Sequence, residues 1–397
     1  MRNALLLVAG LGTLGSLTVQ AQTQLNGRVL DRQTHQPVPY ASVIVAGTTQ
    51  GTTSNAEGEF ALTAQRLPAK LLAFSLGYGR DSVLVSPAGG LALMLNLTPA
   101  PIALPAAEPA GYAAELLARA YQQLQRTREP VQYGQAFYRQ VTRNGPEPTE
   151  ILEAVWDVKT SSAGPQGSRL AQGRYASRTA LMNFTNFSLY TKLAGSVCAL
   201  ATPDTANSHA VVSPHATQLY TLQYKGLTQA SGQAVAEIAY ASKPGIPAVS
   251  GSVFINPATY QVLHARVIRP MQTTVNKKSF EAKNGQITAE VDFRPLGGGM
   301  VLNYVKVQAA LVLSQPRKPD TPVTAESLAY FYDLRPVPTG LPYAGADGPL
   351  SDLAAIKQKP YDPAFWRDNP VVKRTPLEEE TIKSFEQTKS FGTLLGK

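Results

Sequence analysis

The chain has 397 residues, of which 44% are apolar, and its formal net charge is +9. The single cysteine, Cys198, excludes an intrachain disulfide, and its apolar neighbours predict a small buried side chain. The basic residues are dispersed, without a basic helix or an aromatic RNA-binding motif, which argues against nucleic acid as a partner. The 31 glycines and 30 prolines favour turns and β-structure over long helices.

The N-terminus has the three parts of a secretory signal. Arg2 supplies the positive end, residues 4–17 form an uncharged apolar run, and small residues precede Gln22. We expect residues 1–21 to be removed after Ala21. The apolar run is shorter than the roughly 20 residues of a spanning helix, so we expect no transmembrane segment in the mature chain. The predicted location is the periplasm, or the outer membrane or cell surface.

Residues 22–98 contain short stretches of alternating apolar residues separated by turn residues. In residues 40–45 the alternation places Ala41, Val43 and Val45 on one face. In the stretch that follows residue 70 it predicts Leu72, Phe74 and Leu76 on the inward face. Asn55-Ala56-Glu57-Gly58 is a turn signal between two strands. Several short strands with regular turns predict a β-sandwich.

The same stretch resembles the carboxypeptidase-regulatory-like domain, a transthyretin-like sandwich of seven strands. The resemblance rests on four short motifs: Gly27-x-Val29-x-Asp31, Pro39-Tyr40-Ala41-x-Val43, Gly51-Thr52 with Gly58-x-Phe60, and Gly77-Tyr78. It implies a protein of the Gram-negative envelope. It brings no peptidase chemistry, because this domain is an accessory to the catalytic domain in carboxypeptidases.

The rest of the chain divides into three predicted parts. Residues 99–111 are a Pro- and Ala-rich linker. Residues 112–345 are predicted as an α+β domain, in which an amphipathic helix from Tyr112 to Thr127 covers a large antiparallel sheet. That pattern resembles the half-barrel of periplasmic lipoprotein carriers, without a shared motif. The predicted strands span residues 135–142, 151–159, 218–224, 233–241, 251–255, 260–268, 287–293, 301–313 and 325–332.

Residues 346–397 are predicted to form a tail with short helices. Thr375 has the character of a helix N-cap, Pro376 suits the first helical position, and three glutamates follow in the first turn. The overall layout resembles that of a group of uncharacterised bacterial surface proteins.

Catalytic and metal-binding motifs are absent from the sequence. The four histidines are His35, His209, His215 and His264, and none belongs to the spaced His and Glu pairs of zinc peptidases. Nucleophilic serine motifs and phosphate-binding glycine loops are missing as well. Glu153 and Asp157 share a face of one strand, too far apart to act on one bond. We therefore predict no catalytic residue, metal or cofactor.

Two short sequences resemble acceptors of surface glycans. Asp81-Ser82-Val83 and Asp204-Thr205-Ala206 both have the order Asp, Ser or Thr, then an aliphatic residue. Thr205 is the better candidate, because Pro203 and Asn207 predict an exposed loop, whereas Ser82 enters a strand.

The alternation of the second domain also predicts an apolar groove. Tyr220, Tyr224 and Tyr240 lie on apolar strand faces, and one helix is too short to cover the whole sheet. We expect the remaining apolar face to be covered by the tail, by a partner or by a ligand. Phe365 and Trp366 are the aromatic residues suited to be that cover.

Two functional interpretations follow. The first is an exported, non-catalytic protein that binds or docks a glycan, a lipid or another outer-membrane or cell-surface protein. The second is a hydrolase whose site in the second domain uses a carboxylate or Cys198 without a recognisable motif.

Overall fold

A computed structural model describes residues 23–87, 92–103, 111–127, 131–192, 210–230, 232–271, 276–277, 280–296, 299–345, 351–368 and 371–391. The molecule contains a small N-terminal sandwich, one large open antiparallel sheet, and short helices on both faces of that sheet. The prediction of a mainly β fold, with a sandwich followed by a large antiparallel sheet, is confirmed.

The described residues of the N-terminal sandwich form seven strands in two sheets. One sheet has the order β4-β1-β7 and the other has the order β3-β2-β5-β6. All pairs are antiparallel except β1 with β7. The strands are β1 (Thr23–Asp31), β2 (Ser42–Val45), β3 (Gly51–Thr53), β4 (Glu59–Ala64), β5 (Ala69–Phe74), β6 (Asp81–Val85) and β7 (Leu93–Leu97).

The core of the N-terminal sandwich includes the predicted face of β2, with Ala41, Val43 and Val45 buried. The prediction for β5 is wrong, because Leu71 and Ala73, and not Leu72 and Phe74, point into this core. Phe74 is nevertheless buried, since it lines a small cavity against the large sheet. Alternation alone could not tell which of two buried faces belongs to the sandwich core.

The large sheet has the strand order β11-β12-β13-β14-β16-β17-β18-β8-β9-β10-β19, with β15 paired to β16. Its pairs are antiparallel throughout. The strands are β8 (Gln132–Asn144), β9 (Glu147–Ser161), β10 (Gly164–Ser177), β11 (Tyr220–Ala230), β12 (Gln233–Ser242), β13 (Ser250–Ile255), β14 (Val262–Pro270), β15 (Asn276–Lys277), β16 (Phe280–Leu296), β17 (Gly299–Ser314), β18 (Thr321–Arg335) and β19 (Ala344–Gly345).

Both faces of this sheet are buried around β8, β9 and β18. Tyr138 and Trp156 belong to the main core on one side, which we call the inner face. Their neighbours Phe137 and Val155 belong to a separate cluster on the other side, which we call the outer face. This arrangement follows from the period of two in a strand, which sends successive side chains to opposite sides.

Four helices of the described residues pack on the inner face. Helix α1 contributes Leu116, Leu117, Ala120 and Leu124 to the main core, and helix α4 contributes Leu353 and Ile356. Phe184 and Phe187, which precede α2, also pack there. The helices are α1 (Tyr112–Thr127), α2 (Ser188–Lys192), α3 (Ala216–Leu219) and α4 (Asp352–Lys357).

Part of the outer face is covered by the C-terminal segment, residues 361–368 and 371–391. It contains helix α5 (Pro363–Asp368) and helix α6 (Pro376–Gln387). Trp366 and Val372 pack on Phe137, Val155 and Tyr330. Ile382, Phe385 and Phe391 pack on Val141, Ile151 and Ala176.

The N-terminal sandwich packs on a neighbouring part of the outer face. Asn303 of β17 donates a hydrogen bond of 2.8 Å from Nδ2 to Oγ of Ser42. The rings of Tyr40 and Tyr304 lie 6.2 Å apart, and the Lys306 ammonium lies 4.3 Å from the Tyr40 ring centroid. Within the predicted linker, Ala103 exchanges two backbone hydrogen bonds with Leu227 of β11. The N-terminal sandwich thus contacts the large sheet directly, and the segment that follows the sandwich contacts the same sheet through Ala103.

Candidate functional site

Three charged side chains lie next to one another on the outer face. In the strand register, Glu153 of β9 is opposite Arg139 of β8 on one side and Arg174 of β10 on the other. Each guanidinium Nε donates to a different carboxylate oxygen of Glu153, at 2.7 Å in both cases. The three side chains are 7%, 0% and 1% exposed for Arg139, Glu153 and Arg174. We call these residues the buried charge cluster.

Helix α6 supplies two further carboxylates to the buried charge cluster. Glu378 lies 3.2 Å from Nη1 of Arg139, and Glu386 lies 3.4 Å from Nη1 of Arg174. The helix begins at the predicted N-cap, Thr375, where the structure adds a capping box: the Thr375 hydroxyl accepts from Glu378 N and the Glu378 carboxylate accepts from Thr375 N. The sheet and the C-terminal segment are therefore joined by hydrogen-bonded ion pairs as well as by apolar contacts.

The arginines decide the ionisation of Glu153. Burial by itself would raise the pKa of its carboxyl group, but Arg139, Arg174 and Arg374 outweigh that effect and lower the pKa to about 2. Burial opposes the charge of Arg139 too, yet Glu378 and Glu153 raise the pKa of its guanidinium. Glu153 and Arg139 are consequently charged at neutral pH.

A cleft of about 600 Å³ lies in the C-terminal segment beside the buried charge cluster. Three of the residues that line it are cationic, and Glu386 is its one carboxylate among the described residues. The lining consists of Tyr361, Pro363, Trp366, Arg367, Arg374, Glu386, Lys389 and Phe391. Because Glu386 is already paired with Arg174, the cleft has an excess of positive charge.

Aromatic rings form much of the wall of this cleft. Tyr361 and Phe391 are stacked, with ring centroids 5.5 Å apart and planes inclined by 26°. The Cζ atom of Arg174 lies 4.9 Å from the Trp366 ring centroid and 4.7 Å from that of Phe391. Arg174 also donates from Nη1 to the Tyr361 hydroxyl at 3.4 Å. These contacts fix the orientation of the rings before any ligand enters.

The pKa of Arg374 is affected by burial and by the neighbouring charged residues. Burial lowers the pKa of its guanidinium; Glu153 opposes that effect, and Arg174 and Arg139 lower the pKa further. An anion in the cleft would reduce this repulsion. The chemistry offered by the site is therefore that of an anion-binding cleft with aromatic walls.

The aromatic residues predicted to share a groove are placed on opposite faces of the sheet. Tyr220 and Tyr240 are in the inner-face core, where their rings pack 5.3 Å apart, and Tyr224 packs against Tyr112 of α1. Phe365 and Trp366 are on the outer face, in contact with each other at 5.2 Å. The structure therefore does not bring the predicted cover to the predicted groove.

The remaining candidate residues from the sequence are not part of the cleft or lie outside the described residues. Ser82 is exposed on β6, with its backbone N–H bonded to the Asp81 carboxylate. Thr205, Cys198 and His209 lie outside the described residues. Glu153 and Asp157 have separate partners, since Asp157 pairs with Arg169.

The described histidines do not converge on one place. His264 is buried, and its Nδ1 lies 3.1 Å from Oδ1 of Asp292. His35 is exposed directly after the turn of residues 32–34, and His215 precedes α3. Within the described ranges, no three His, Cys, Asp or Glu side chains are grouped as metal ligands would be.

The sequence contains a signal for the buried charge cluster, but the search for alternating apolar residues does not detect it. Residues 151–156 are apolar except for Glu153, and Arg139 interrupts an equally buried stretch. A lone charge in a strand that is buried on both faces requires a partner of opposite sign. That signal predicts a buried ion pair, without naming the partner. The cleft residues carry no such signal, because they come from turns and short helices.

The N-terminal sandwich has a recognisable family. Residues 25–104 match the family model described as CarboxypepD_reg-like domain. This part of the chain is a CarboxypepD_reg-like domain. The resemblance inferred from the glycine and Pro-Tyr-Ala motifs is thereby confirmed for the N-terminal sandwich.

Solved structures similar to the chain share little sequence with it. A DUF1329 family protein from Desulfovibrio piger has 9% identity and a TM-score of 0.25, with 59% of this chain and 96% of that one covered. A LolA superfamily protein from Nitrosomonas europaea has 11% identity and a TM-score of 0.23, covering 57% and 94%. These scores are too low for the likeness to assign a function. No curated protein matches the sequence.

In the part of the chain that the structure describes, no helix combines the length and the apolar character needed to cross a bilayer.

Proposed function

We propose that the protein is an exported, non-catalytic binding protein of the cell envelope, and that the cleft of the C-terminal segment holds an anionic sugar. The observation that carries the proposal is the combination of Arg367, Arg374 and Lys389 with the stacked rings of Tyr361 and Phe391 around one cleft. Export is supported by the pattern of residues 1–21, and an envelope setting by the CarboxypepD_reg-like domain.

The chemistry of an acidic sugar fits each wall of this cleft. Its carboxylate would pair with guanidinium and ammonium groups, and the apolar face of its ring would lie against an aromatic ring. A volume of about 600 Å³ is within the usual range for small-molecule sites. The fixed rings also favour binding, because little side-chain freedom remains to be lost.

The lining of the cleft supports binding without hydrolysis. Cleavage of a glycosidic bond ordinarily uses two carboxyl groups on either side of the bond. Among the described residues that line the cleft, Glu386 is the one carboxylate, and Arg174 holds it as an ion pair. Glu153 is fully buried between two arginines.

The direct test is a calorimetric titration of the intact protein with a galacturonic acid trisaccharide and with its methyl ester. The ester keeps the sugar rings and removes the negative charges, so the acid should bind and the ester should bind at least about tenfold more weakly. Binding of the acid should weaken as ionic strength rises.

A matched pair of lysine variants locates the site. Lys389→Gln removes an exposed cation from the cleft and should weaken binding about two- to fivefold. Lys383→Gln removes an exposed cation from α6 outside the cleft lining and should leave the affinity unchanged. Equal affinities of both variants and the wild type would reject the cleft as the site. Binding of anionic phospholipid vesicles without binding of the trisaccharide would assign the cleft to a lipid head group instead.

A further inference from the structure

Residues 371–375 pass between the N-terminal sandwich and the outer face of the large sheet. The sandwich contacts this stretch through main-chain oxygens: Oγ1 of Thr52 donates to the carbonyl of Val371 at 3.0 Å, and Nδ2 of Asn55 donates to the carbonyl of Arg374 at 3.3 Å. Contacts to main-chain oxygens fix the path of the chain whatever side chains it carries.

Both donors from the sandwich are themselves held in place. Thr52 and Asn55 are 1% and 3% exposed. Oδ1 of Asn55 accepts from the backbone N–H groups of Glu57 and Glu59, each at 2.9 Å, which closes the turn between β3 and β4. Nδ2 of the same side chain is thereby directed outward to Arg374. The neighbouring Glu59 carboxylate lies 3.4 Å from the Lys373 ammonium.

The large sheet holds the same stretch from the other side. Nη2 of Arg139 donates to the carbonyl of Val372 at 3.3 Å, and the Val372 side chain is buried against the outer face. Three of the four carbonyl groups from residue 371 to residue 374 are therefore held by side chains from two different parts of the fold. Arg374, at the end of this stretch, lines the cleft and donates from Nη2 to the carbonyl of Trp366 at 3.4 Å.

We propose that the N-terminal sandwich positions Arg374 for the ligand, with Thr52 and Asn55 as the positioning residues. This inference rests on the proposed function of the cleft and adds a role for the sandwich, whose described contacts with the cleft run through residues 371–375. Loosening the main chain at Val371 and Arg374 lets the guanidinium leave its place without altering any residue that lines the cleft. By reciprocity, a ligand that binds Arg374 stabilises the contact between the sandwich and the C-terminal segment.

The test compares two identical substitutions within the sandwich of the full-length protein. Thr52→Val keeps the side-chain shape and removes the hydroxyl that donates to Val371. Thr48→Val is the control, because the Thr48 hydroxyl donates to a carbonyl of the sandwich itself, Val45, at 2.9 Å. Affinity for the galacturonic acid trisaccharide and hydrogen exchange of the amides of residues 371–378 are measured for both.

We expect Thr52→Val to weaken binding about three- to tenfold, the usual worth of one buried hydrogen bond, and to speed exchange in residues 371–378. Thr48→Val should change neither quantity, even where it lowers the melting temperature by a similar amount. Lys373→Gln, which removes the ion pair with Glu59, should act in the same direction as Thr52→Val with a smaller effect.

The outcomes separate this inference from the proposed function. If the wild type binds the trisaccharide and Thr52→Val binds it equally well, the sandwich does not position Arg374 and this inference alone is wrong. If Thr48→Val weakens binding as much as Thr52→Val, the effect is one of general stability and the inference is again wrong. If the wild type does not bind the trisaccharide, the proposed function itself fails, and this inference with it.

Discussion

Glu153 is the carboxylate on which two buried arginines of the outer face depend. Arg139 and Arg174 each donate to one of its oxygens, and neither side chain is more than 7% exposed. A buried ion pair contributes little net stability over an apolar substitute, but the loss of one partner leaves an uncompensated charge. Replacing Glu153 should therefore destabilise the fold more than replacing a carboxylate of the same strand whose partner is exposed.

The expected cost can be measured with a pair of variants on β9. Glu153→Gln leaves two buried guanidinium groups without their shared carboxylate and should lower the free energy of unfolding by about 3–5 kcal/mol. Asp157→Asn, four residues along, removes a partner of Arg169, which is 45% exposed, and should cost less than about 1 kcal/mol. Urea denaturation of both variants gives the comparison; similar costs for the two would mean that burial of the charge cluster does not make Glu153 more important for stability than an exposed ion pair.

The lowered pKa of Glu153 also predicts a pH dependence of stability. The folded-state pKa is about 2, below the ordinary value of 4.5, so the folded protein binds this proton less readily than the unfolded chain. The resulting stability, on the order of 3 kcal/mol, is fully present above pH 4.5 and is lost as the pH falls towards 2. The difference between wild type and Glu153→Gln in the free energy of unfolding should shrink over that interval; a difference that stays constant between pH 5 and pH 2 would contradict the assignment.

At the scale of elements, helix α6 carries both carboxylates that connect the C-terminal segment to the buried charge cluster. Its first turn depends on the capping box of Thr375 and Glu378, which satisfies backbone N–H groups at the helix start. Thr375→Ala should cost about 1 kcal/mol and lower the melting temperature. Thr388→Ala, at the other end of α6, removes an exposed hydroxyl that bonds only within the helix end and should have a smaller effect. Equal shifts in melting temperature would argue against a special role for the cap.

A helix or strand could be predicted where the spacing of apolar residues within the segment itself identifies it. The helix Tyr112–Thr127 was predicted with its observed bounds, because its apolar spacing and the following proline mark both ends. The nine predicted strands of the second domain overlap observed strands, several of which extend further, as in β16, Phe280–Leu296. Strand β10, Gly164–Ser177, was missed because it is rich in glycine and poor in apolar residues. Arg174 was missed together with it.

At the scale of the whole molecule, the candidate site could not be predicted because its parts are distant in the sequence. Arg174 and Glu386, which are hydrogen-bonded, are 212 positions apart. Thr52 and Val371 are separated by 319 positions. Alternation shows that a strand has an apolar face, but not which distant segment covers it, and for that reason Trp366 was assigned to the face of Tyr240. The prediction that the tail contains a helix with Thr375 at its start was local and is confirmed.

The N-terminal sandwich and the C-terminal segment both pack on the outer face of the large sheet, and they also contact each other. Ser42 and Tyr40 of the sandwich contact β17, and Thr52 and Asn55 contact the C-terminal segment. This arrangement commits one side of the CarboxypepD_reg-like domain to its own chain. These contacts are the basis of the role proposed above for Thr52 and Asn55 in positioning Arg374.

The measurement that tests the binding cleft most directly is a fluorine NMR titration of protein labelled with 5-fluorotryptophan. The chain has two tryptophans: Trp366 lines the cleft, and Trp156 is buried on the inner face against Tyr138. Addition of the galacturonic acid trisaccharide should shift the Trp366 resonance in a saturable way and leave that of Trp156 in place. The methyl ester should shift the Trp366 resonance only at concentrations at least about tenfold higher. A Trp366 resonance that does not respond to the acid, or that responds equally to the ester, would contradict an anion-binding cleft at this position.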